Sequence, residues 1–163
     1  TMSNRIAVFN DGKIQQISTP DVLYEKPEGS FVAQFIGEHN QLKGKVKSIS
    51  GNKCVITTET GENINSLKIN VDNVGDNSTV SLRPERIAIN SSEDKFENTF
   101  DAKVKELIYL GDHIRCRMNV AVDDQFIMKV PNTSGQLGLE IGAPLQIGWQ
   151  NNDCRALDFK ELV

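Results

Sequence analysis
The sequence is poor in aromatic residues, has only three cysteines and two histidines, and contains no long apolar run. Nothing in its 163 residues approaches the ~18 consecutive apolar positions of a membrane-spanning helix. The expectation is therefore a soluble chain with no direct membrane insertion. Thr1-Met2-Ser3-Asn4-Arg5 leads into a strand-like run rather than a secretory apolar segment. Cys54, Cys116 and Cys154 are an odd, widely spread set, which excludes a disulfide framework and a CxxC metal site. His39 and His113 lack HExxH or Cys/His ligand spacing, so no metal site is expected. Gly12-Lys13 is followed by Ile14, and no glycine sits five residues before Gly12, so no phosphate-cradling loop is encoded. No nucleophile, acid or base falls into a catalytic arrangement.

The charge balance excludes another class. Lys and Arg number 18 against 22 Asp and Glu, a net charge of −4, and the pI is near 5.2. A chain whose affinity lies in phosphate backbones is normally basic. A single-strand binder also needs stacking aromatics, and these are 6% of residues. Single-strand nucleic-acid binding is thus kept only as an alternative of another class. Lys43, Lys45, Lys47 and Lys53 make the middle mildly basic; alternating lysines on a strand read as a solvated face or a guarded edge.

What is present is β structure behind a short mixed opening. Residues 5–9 read as a strand, Asn10-Asp11-Gly12 as a turn and residues 13–17 as the returning strand. Thr19 with Pro20 and Asp21 starts a helix that Pro27 and Gly29 end, and Ser30 caps a second. Phe31, Val32, Phe35 and Ile36 share one face of it, and Gly37 stops it. After Asn40 the period becomes two. Strands are expected at 44–49, 54–58, 64–69, 79–82, 87–89, 100–110, 114–122, 126–130, 145–149 and 154–157. Loops are expected at 90–95 and 131–142, and a turn at Asp123-Asp124. The inward phase shifts between Val104 and Leu107, which predicts a bulge near Glu106. Many short strands with regular turns mean a barrel or sandwich.

Residues 42–49 (Leu-Lys-Gly-Lys-Val-Lys-Ser-Ile) resemble residues 100–107 (Phe-Asp-Ala-Lys-Val-Lys-Glu-Leu), 58 positions later. Each is followed by a glycine turn and a strand with an inward cysteine, Cys54 or Cys116. This marks two related β units.

Several segments together carry a family resemblance. The run Thr1-Met2-Ser3-Asn4-Arg5-Ile6-Ala7-Val8-Phe9-Asn10-Asp11-Gly12-Lys13-Ile14 through Pro20 resembles the end of the nucleotide-binding domain of bacterial ABC importer ATPases, where it follows directly after their switch-loop histidine. Asp21 to Pro27 and Phe31 to Glu38 resemble the helical linker of the same proteins. Val80-Ser81-Leu82-Arg83-Pro84-Glu85-Arg86-Ile87 is similar to the "RPE" segment of their TOBE domain. Gly111 to Arg115, Phe126 to Asn132 and Gly148 to Asp158 resemble the spermidine/putrescine subgroup. The resemblance implies a mainly β, OB-like TOBE barrel built from two related units and preceded by a hairpin and two short helices. It divides the chain into residues 1–40, the end of the ATPase domain with its linker, and 41–163, the regulatory domain.

The resemblance also implies a C-terminal fragment of an ATP-binding subunit. The P-loop, signature, Walker B pair and switch histidine are absent here, so no catalytic residue and no cofactor is assigned; ATP and magnesium belong to the parent. The implied role is non-catalytic regulation and dimerisation in an importer, with polyamines as cargo. Implied partners are a second copy joined through the barrel and membrane permease subunits, at the cytoplasmic face of the plasma membrane. The alternative role is a small-ligand sensor, for which Lys47, Ser48, Ser50 and Lys53 are available at a barrel seam. Candidate interface or regulatory residues are Arg83, Glu85, Trp149, Arg155 and Asp158. For Arg83 and Asp158 the competing reading is a local ion pair, and for Trp149 it is core packing.

Overall fold
A computed structural model describes residues 3–89, 96–121, 123–132 and 139–159. The opening is a β-hairpin of β1 (Ile6–Asn10) and β2 (Lys13–Ser18), then two one-and-a-half-turn helices, α1 (Pro20–Glu25) and α2 (Ser30–Phe35). Asp11 and Gly12 take positive φ in the hairpin turn, as the Asp-Gly pair predicts. Val8, Leu23 and Val32 bury a small core of their own, with Phe31 and Ile36 against it. The helix ends differ in detail from expectation. Thr19 is the first cap residue but its side chain makes no cap bond. Ser30 is the first helical residue, not the cap, which is Gly29. Phe35 stacks on Phe31 yet is 67% exposed.

The rest is mainly β. The strands β3 (Asn40–Ser50), β4 (Lys53–Thr58), β5 (Asn63–Lys68) and β6 (Asn77–Leu82) form a closed five-stranded barrel, completed by the chain's last strand, β12 (Cys154–Asp158). Its order is β12-β5-β4-β3-β6. A second, five-stranded sheet contains β7 (Ala88–Ile89), β8 (Asn98–Tyr109), β9 (His113–Val120), β10 (Asp123–Pro131) and β11 (Pro144–Trp149), in the order β10-β9-β8-β11-β7. Alternation produces these strands directly: Ile114, Cys116, Met118 and Val120 are buried, with half-exposed or exposed neighbours between them. The expected turn at Asp123-Asp124 is instead the start of β10, where Asp123 pairs with Val120. Val122, the loop at 90–95 and residues 133–138 of the expected loop at 131–142 lie outside the described residues.

The repeat is structural. β3 slips register against β4 between Val46 and Ser48, and β8 slips against β9 between Val104 and Glu106, 58 residues on. The bulge predicted near Glu106 is there, and its counterpart sits at the matching place. Val46 N–H donates to Asp76 O and Val46 O accepts from Gly75 N–H; Val104 does the same with Ala143 and Gly142. Gly75 and Gly142 both have left-handed φ, +93° and +85°, a conformation that costs glycine little.

The two units trade their last strands. After β6 the chain makes a 3-10 turn (Pro84–Arg86) and runs as β7 beside β11 of the second unit. After β11 it makes another (Asn151–Asp153) and runs as β12 beside β6 of the first. The registers correspond: Val80 faces Ala156, and Ile147 faces Ile89, each residue 67 positions from its counterpart. One continuous apolar core therefore spans both units, from Leu42 and Ile56 to Phe126 and Trp149. Neither unit has a private core, so the pair folds as one body.

Candidate functional site at the junction of linker and barrel
The linker is held by side chains from both halves of the β body. Arg83 stands where the chain leaves β6, and only 6% of it is exposed. Its Nη1 donates to Ile36 O (2.6 Å) and Glu38 O (3.2 Å), and its Nη2 to Tyr24 O (2.9 Å). The guanidinium also lies 4.0 Å over the Tyr24 ring. A planar fork that both donates and stacks is chemistry lysine does not have. Burial lowers the Arg83 pKa, and the nearby Tyr24, Glu85 and Glu25 oppose that; the group stays charged.

The residues after Arg83 continue the clasp. Pro84 suits the first position of the 3-10 turn. That turn presents Glu85 to the Tyr24 hydroxyl, which donates to Oε1 at 2.5 Å, and Arg86 to Glu25 Oε2 at 2.7 Å. Burial, then the Glu85 bond and charge, push the Tyr24 phenol up to about 12. On β12, Arg155 donates from Nε to Pro27 O (3.2 Å). Asp158 Oδ1 accepts the Ser30 N–H at 2.9 Å and Asn70 Nδ2 at 3.0 Å. A carboxylate from the far end of the chain thus satisfies an orphan donor at the start of α2.

The second unit reaches the linker too. Glu38 Oε1 accepts from Arg115 Nε (2.9 Å) and Nη2 (2.7 Å), while Lys129 Nζ lies 3.2 Å from Oε2. Burial pushes Glu38 up, but the bonds from Arg115 and Lys129 outweigh it and hold the carboxyl below its usual range.

Four of the five candidate residues, Arg83, Glu85, Arg155 and Asp158, meet at this junction. Arg83 and Asp158 do not form the ion pair considered from sequence: Arg83 is spent on backbone carbonyls of the linker, and Asp158 on Ser30 and Asn70. Trp149 takes the core-packing alternative and not the interface one, because it is fully buried. It stacks between Phe100 (centroids 5.2 Å) and Phe126 (5.9 Å), contacts that join the core of the second unit. Tyr24, Glu38, Arg115 and Lys129 were not singled out from sequence. Nor were Glu25 in the linker and Arg86 beside the proline, although their opposite charges were a legible signal.

A second pair of residues ties the two units together. Asn40 Nδ2 donates to Ile127 O and its Oδ1 accepts the Ile127 N–H, both at 2.8 Å. Asn98 Nδ2 donates to Asn65 O at 2.9 Å and its Oδ1 accepts the Asn65 N–H at 2.7 Å. Each amide imitates a strand neighbour for the other unit's edge.

The three thiols are buried. Burial pushes Cys116 up to about 11 and Cys154 to about 12. Thiols so shifted are protonated and unreactive near neutrality. Among the described residues no group of three or more His, Cys, Asp or Glu side chains is placed to hold a metal. None of the described helices is long and apolar enough to cross a membrane.

Residues 80–157 match the TOBE domain family, and the TOBE domain is a non-catalytic module. The chain is homologous to the C-terminal region of PotA, the ATP-binding protein of spermidine/putrescine import. It is 34% identical over 164 residues to the spermidine/putrescine import ATP-binding protein PotA of Trichodesmium erythraeum, covering 96% of this chain and 43% of that protein. With the protein of the same name from Rubrobacter xylanophilus it shares 32% over 162 residues, covering 98% and 42%. With that of Roseobacter denitrificans it shares 40% over 115 residues, covering 71% and 31%. The chain thus spans less than half the length of the curated relatives it matches. Among solved structures, the molybdate-bound form of the cytoplasmic molybdate-binding protein ModG shares the fold. The TM-score is 0.63 at 14% identity, covering 73% of this chain and 95% of that one.

Proposed function
We propose that this chain is the regulatory and dimerising part of the ATP-binding subunit of a polyamine importer. In this reading residues 1–40 end the ATPase domain and carry the linker, and residues 41–163 form the regulatory domain. The parent protein couples ATP hydrolysis to spermidine or putrescine uptake, working with membrane permease subunits at the cytoplasmic face of the plasma membrane. Its barrel pairs with a second copy. The observation that carries the reading is the clasp: Arg83, Glu85, Arg86, Arg155 and Asp158 hold the linker to the barrel through seven hydrogen bonds over the segment 24–38. A linker so fastened passes movement of a preceding domain to the barrel as a rigid body. The names of the relatives supply the cargo.

The test is uptake of labelled spermidine by cells whose only copy of the full-length gene carries Arg83→Ala, with ATP hydrolysis by the purified parent protein measured alongside. Uptake should fall while nucleotide binding persists. Spermidine uptake independent of the gene would refute the cargo, and nucleotide turnover by residues 1–163 alone would refute the non-catalytic role. Solution mass across a concentration series tests pairing, and a strict monomer at high concentration counts against it. The molybdate-bound ModG neighbour favours a second reading, a small-ligand sensor. Calorimetry with molybdate, sulfate and spermidine separates the two.

A further inference from the structure
Three consecutive carbonyls of the linker, on Ile36, Gly37 and Glu38, are met by two side chains. Arg83 Nη1 donates to the first and the third, at 2.6 and 3.2 Å. The His39 ring meets the second, with Nδ1 3.4 Å from Gly37 O. Gly37 takes left-handed φ, +74°, and a Cβ there would stand 3.4 Å from Arg83 Nη1 and 3.0 Å from Tyr24 Cε2. Imidazole and guanidinium therefore share one tight turn of backbone. The next residue, Asn40, is fixed to the Ile127 peptide of β10. His39 is thus the joint between the clasp on the linker and the clamp on the second unit.

The bonds at this joint suit a neutral ring. Gln41 Nε2 lies 3.0 Å from His39 Nε2. An amide nitrogen donates, so His39 Nε2 accepts and the ring proton sits on Nδ1, toward Gly37 O. On protonation the Gln41 amide can turn and offer its oxygen instead, so this bond alone decides little. The decisive cost is a second positive charge beside Arg83 in a half-buried place. The surrounding charges do not offset it. Glu38 is taken by Arg115 of β9 and Lys129 of β10. Beside the clasp, Glu85 accepts the Tyr24 hydroxyl and Glu25 is held by Arg86. Burial lowers the His39 pKa, the Gly37 carbonyl opposes it, and Arg83 lowers it further; among the described residues no carboxylate acts on the ring.

We propose that His39 is a pH-sensitive latch: neutral, it leaves Arg83 seated on the linker carbonyls, and protonated, it drives the guanidinium from them and loosens the linker from the barrel. The docked ring holds its proton less well than a free one. Docking is therefore complete above the ordinary histidine value near 6.5 and is lost as pH falls through that value to the docked one. The latch acts on linker docking alone and holds with or without the transport reading. The sequence has two histidines, so among its side chains the range between about pH 5 and 7 belongs to His39 and to His113. The latter's Nδ1 is 2.8 Å from Asp112 Oδ1 at the β8–β9 turn.

The test has two readouts on the chain of residues 1–163. One is the titration of the His39 ring followed by NMR, which needs no variant. The other is cleavage within residues 19–38 by a protease active from about pH 5 to 7.5, with wild type and His39→Gln side by side. Their ratio cancels the effect of pH on the protease. It should be about one at pH 7.5 and rise severalfold by about pH 5. The two readouts should agree: a tenfold rise goes with a ring titrating about one pH unit below the ordinary value. Gln41→Ala, which leaves ring and guanidinium in place, should keep the rise, and His113→Gln should leave it unchanged. A ring that titrates at or above the ordinary value overturns the proposal. So does a flat cleavage ratio, or a rise that disappears in Gln41→Ala or His113→Gln.

Discussion
Asn40 and Asn98, 58 residues apart, perform the same operation on opposite halves of the molecule. Asn40 at the start of β3 brackets the Ile127 peptide of β10, and Asn98 at the start of β8 brackets the Asn65 peptide of β5. Both are buried, 3% and 2% exposed. Asn65 and Ile127 hold matching places in their own units, as Ile64 faces Ile56 and Phe126 faces Met118. The strand exchange and these two clamps therefore obey one internal two-fold relation.

Removing either clamp leaves a buried N–H and C=O unmatched, at about 1–3 kcal/mol per orphaned group. Asn40→Ala and Asn98→Ala should each lower unfolding stability by about 2–4 kcal/mol on that basis, and by similar amounts. Asn→Asp keeps the acceptor, loses the donor and should also destabilise. Denaturant midpoints measure all three, and a neutral Asn98→Ala would show that the clamp carries no stability.

Arg83→Lys should fail to replace arginine. It keeps the charge but loses the fork that reaches Tyr24, Ile36 and Glu38 together, and the stack on Tyr24. About 2–3 kcal/mol of linker docking should disappear. The readout is limited proteolysis: cleavage within residues 19–38 should speed up while the barrel stays intact.

Acid should loosen the junction through Glu38. Its folded pKa lies below the ordinary value near 4.3. A depressed carboxyl contributes stability that is complete above the unfolded pKa and is lost as pH falls through the folded one. Glu38→Gln should therefore flatten the pH dependence of stability below about pH 4.3, measured by thermal unfolding across that range. Tyr24 works in the other direction: its pKa is raised to about 12, so its contribution is full below the ordinary value near 10 and is lost as pH rises from there. Tyr24→Phe should remove that alkaline loss.

Gly44→Ala should destabilise despite its small size. A Cβ there would sit 2.4 Å from Thr57 O and 2.9 Å from Thr57 C, backbone atoms of the paired strand β4 that cannot step aside singly. Overpacking of this kind costs about 1–3 kcal/mol. Gly51→Ala meets no neighbour but has φ +59°, so it should cost about 1 kcal/mol from backbone conformation alone. Comparing the two by chemical denaturation separates close approach from strain.

The cysteines should be silent to a thiol reagent at neutral pH while the chain is folded. Cys54, Cys116 and Cys154 are buried, and burial raises each pKa. Reagent uptake should track global unfolding, with all three thiols appearing in one transition because they share one core.

Local chemistry determined much of this molecule. Alternating apolar residues place the buried faces of β9 and β10, Asp11-Gly12 closes the first hairpin, and the inward phase shift between Val104 and Leu107 marks the bulge. These are near-neighbour effects, and the sequence records them as period two, turn residues and a break in phase. The likeness of residues 42–49 to 100–107 likewise announced two units. Only the tertiary structure decided how the units join. Nothing local distinguishes a last strand that closes its own barrel from one that closes its neighbour's. That choice is made by edges and cores that meet only after folding. The same holds for Arg83, whose acceptors lie 45 to 59 residues away, and for Asp158, which reaches Ser30 across 128. Backbone carbonyls and N–H groups are present at every residue, so no pattern of side chains foretells which of them a buried guanidinium or amide will find.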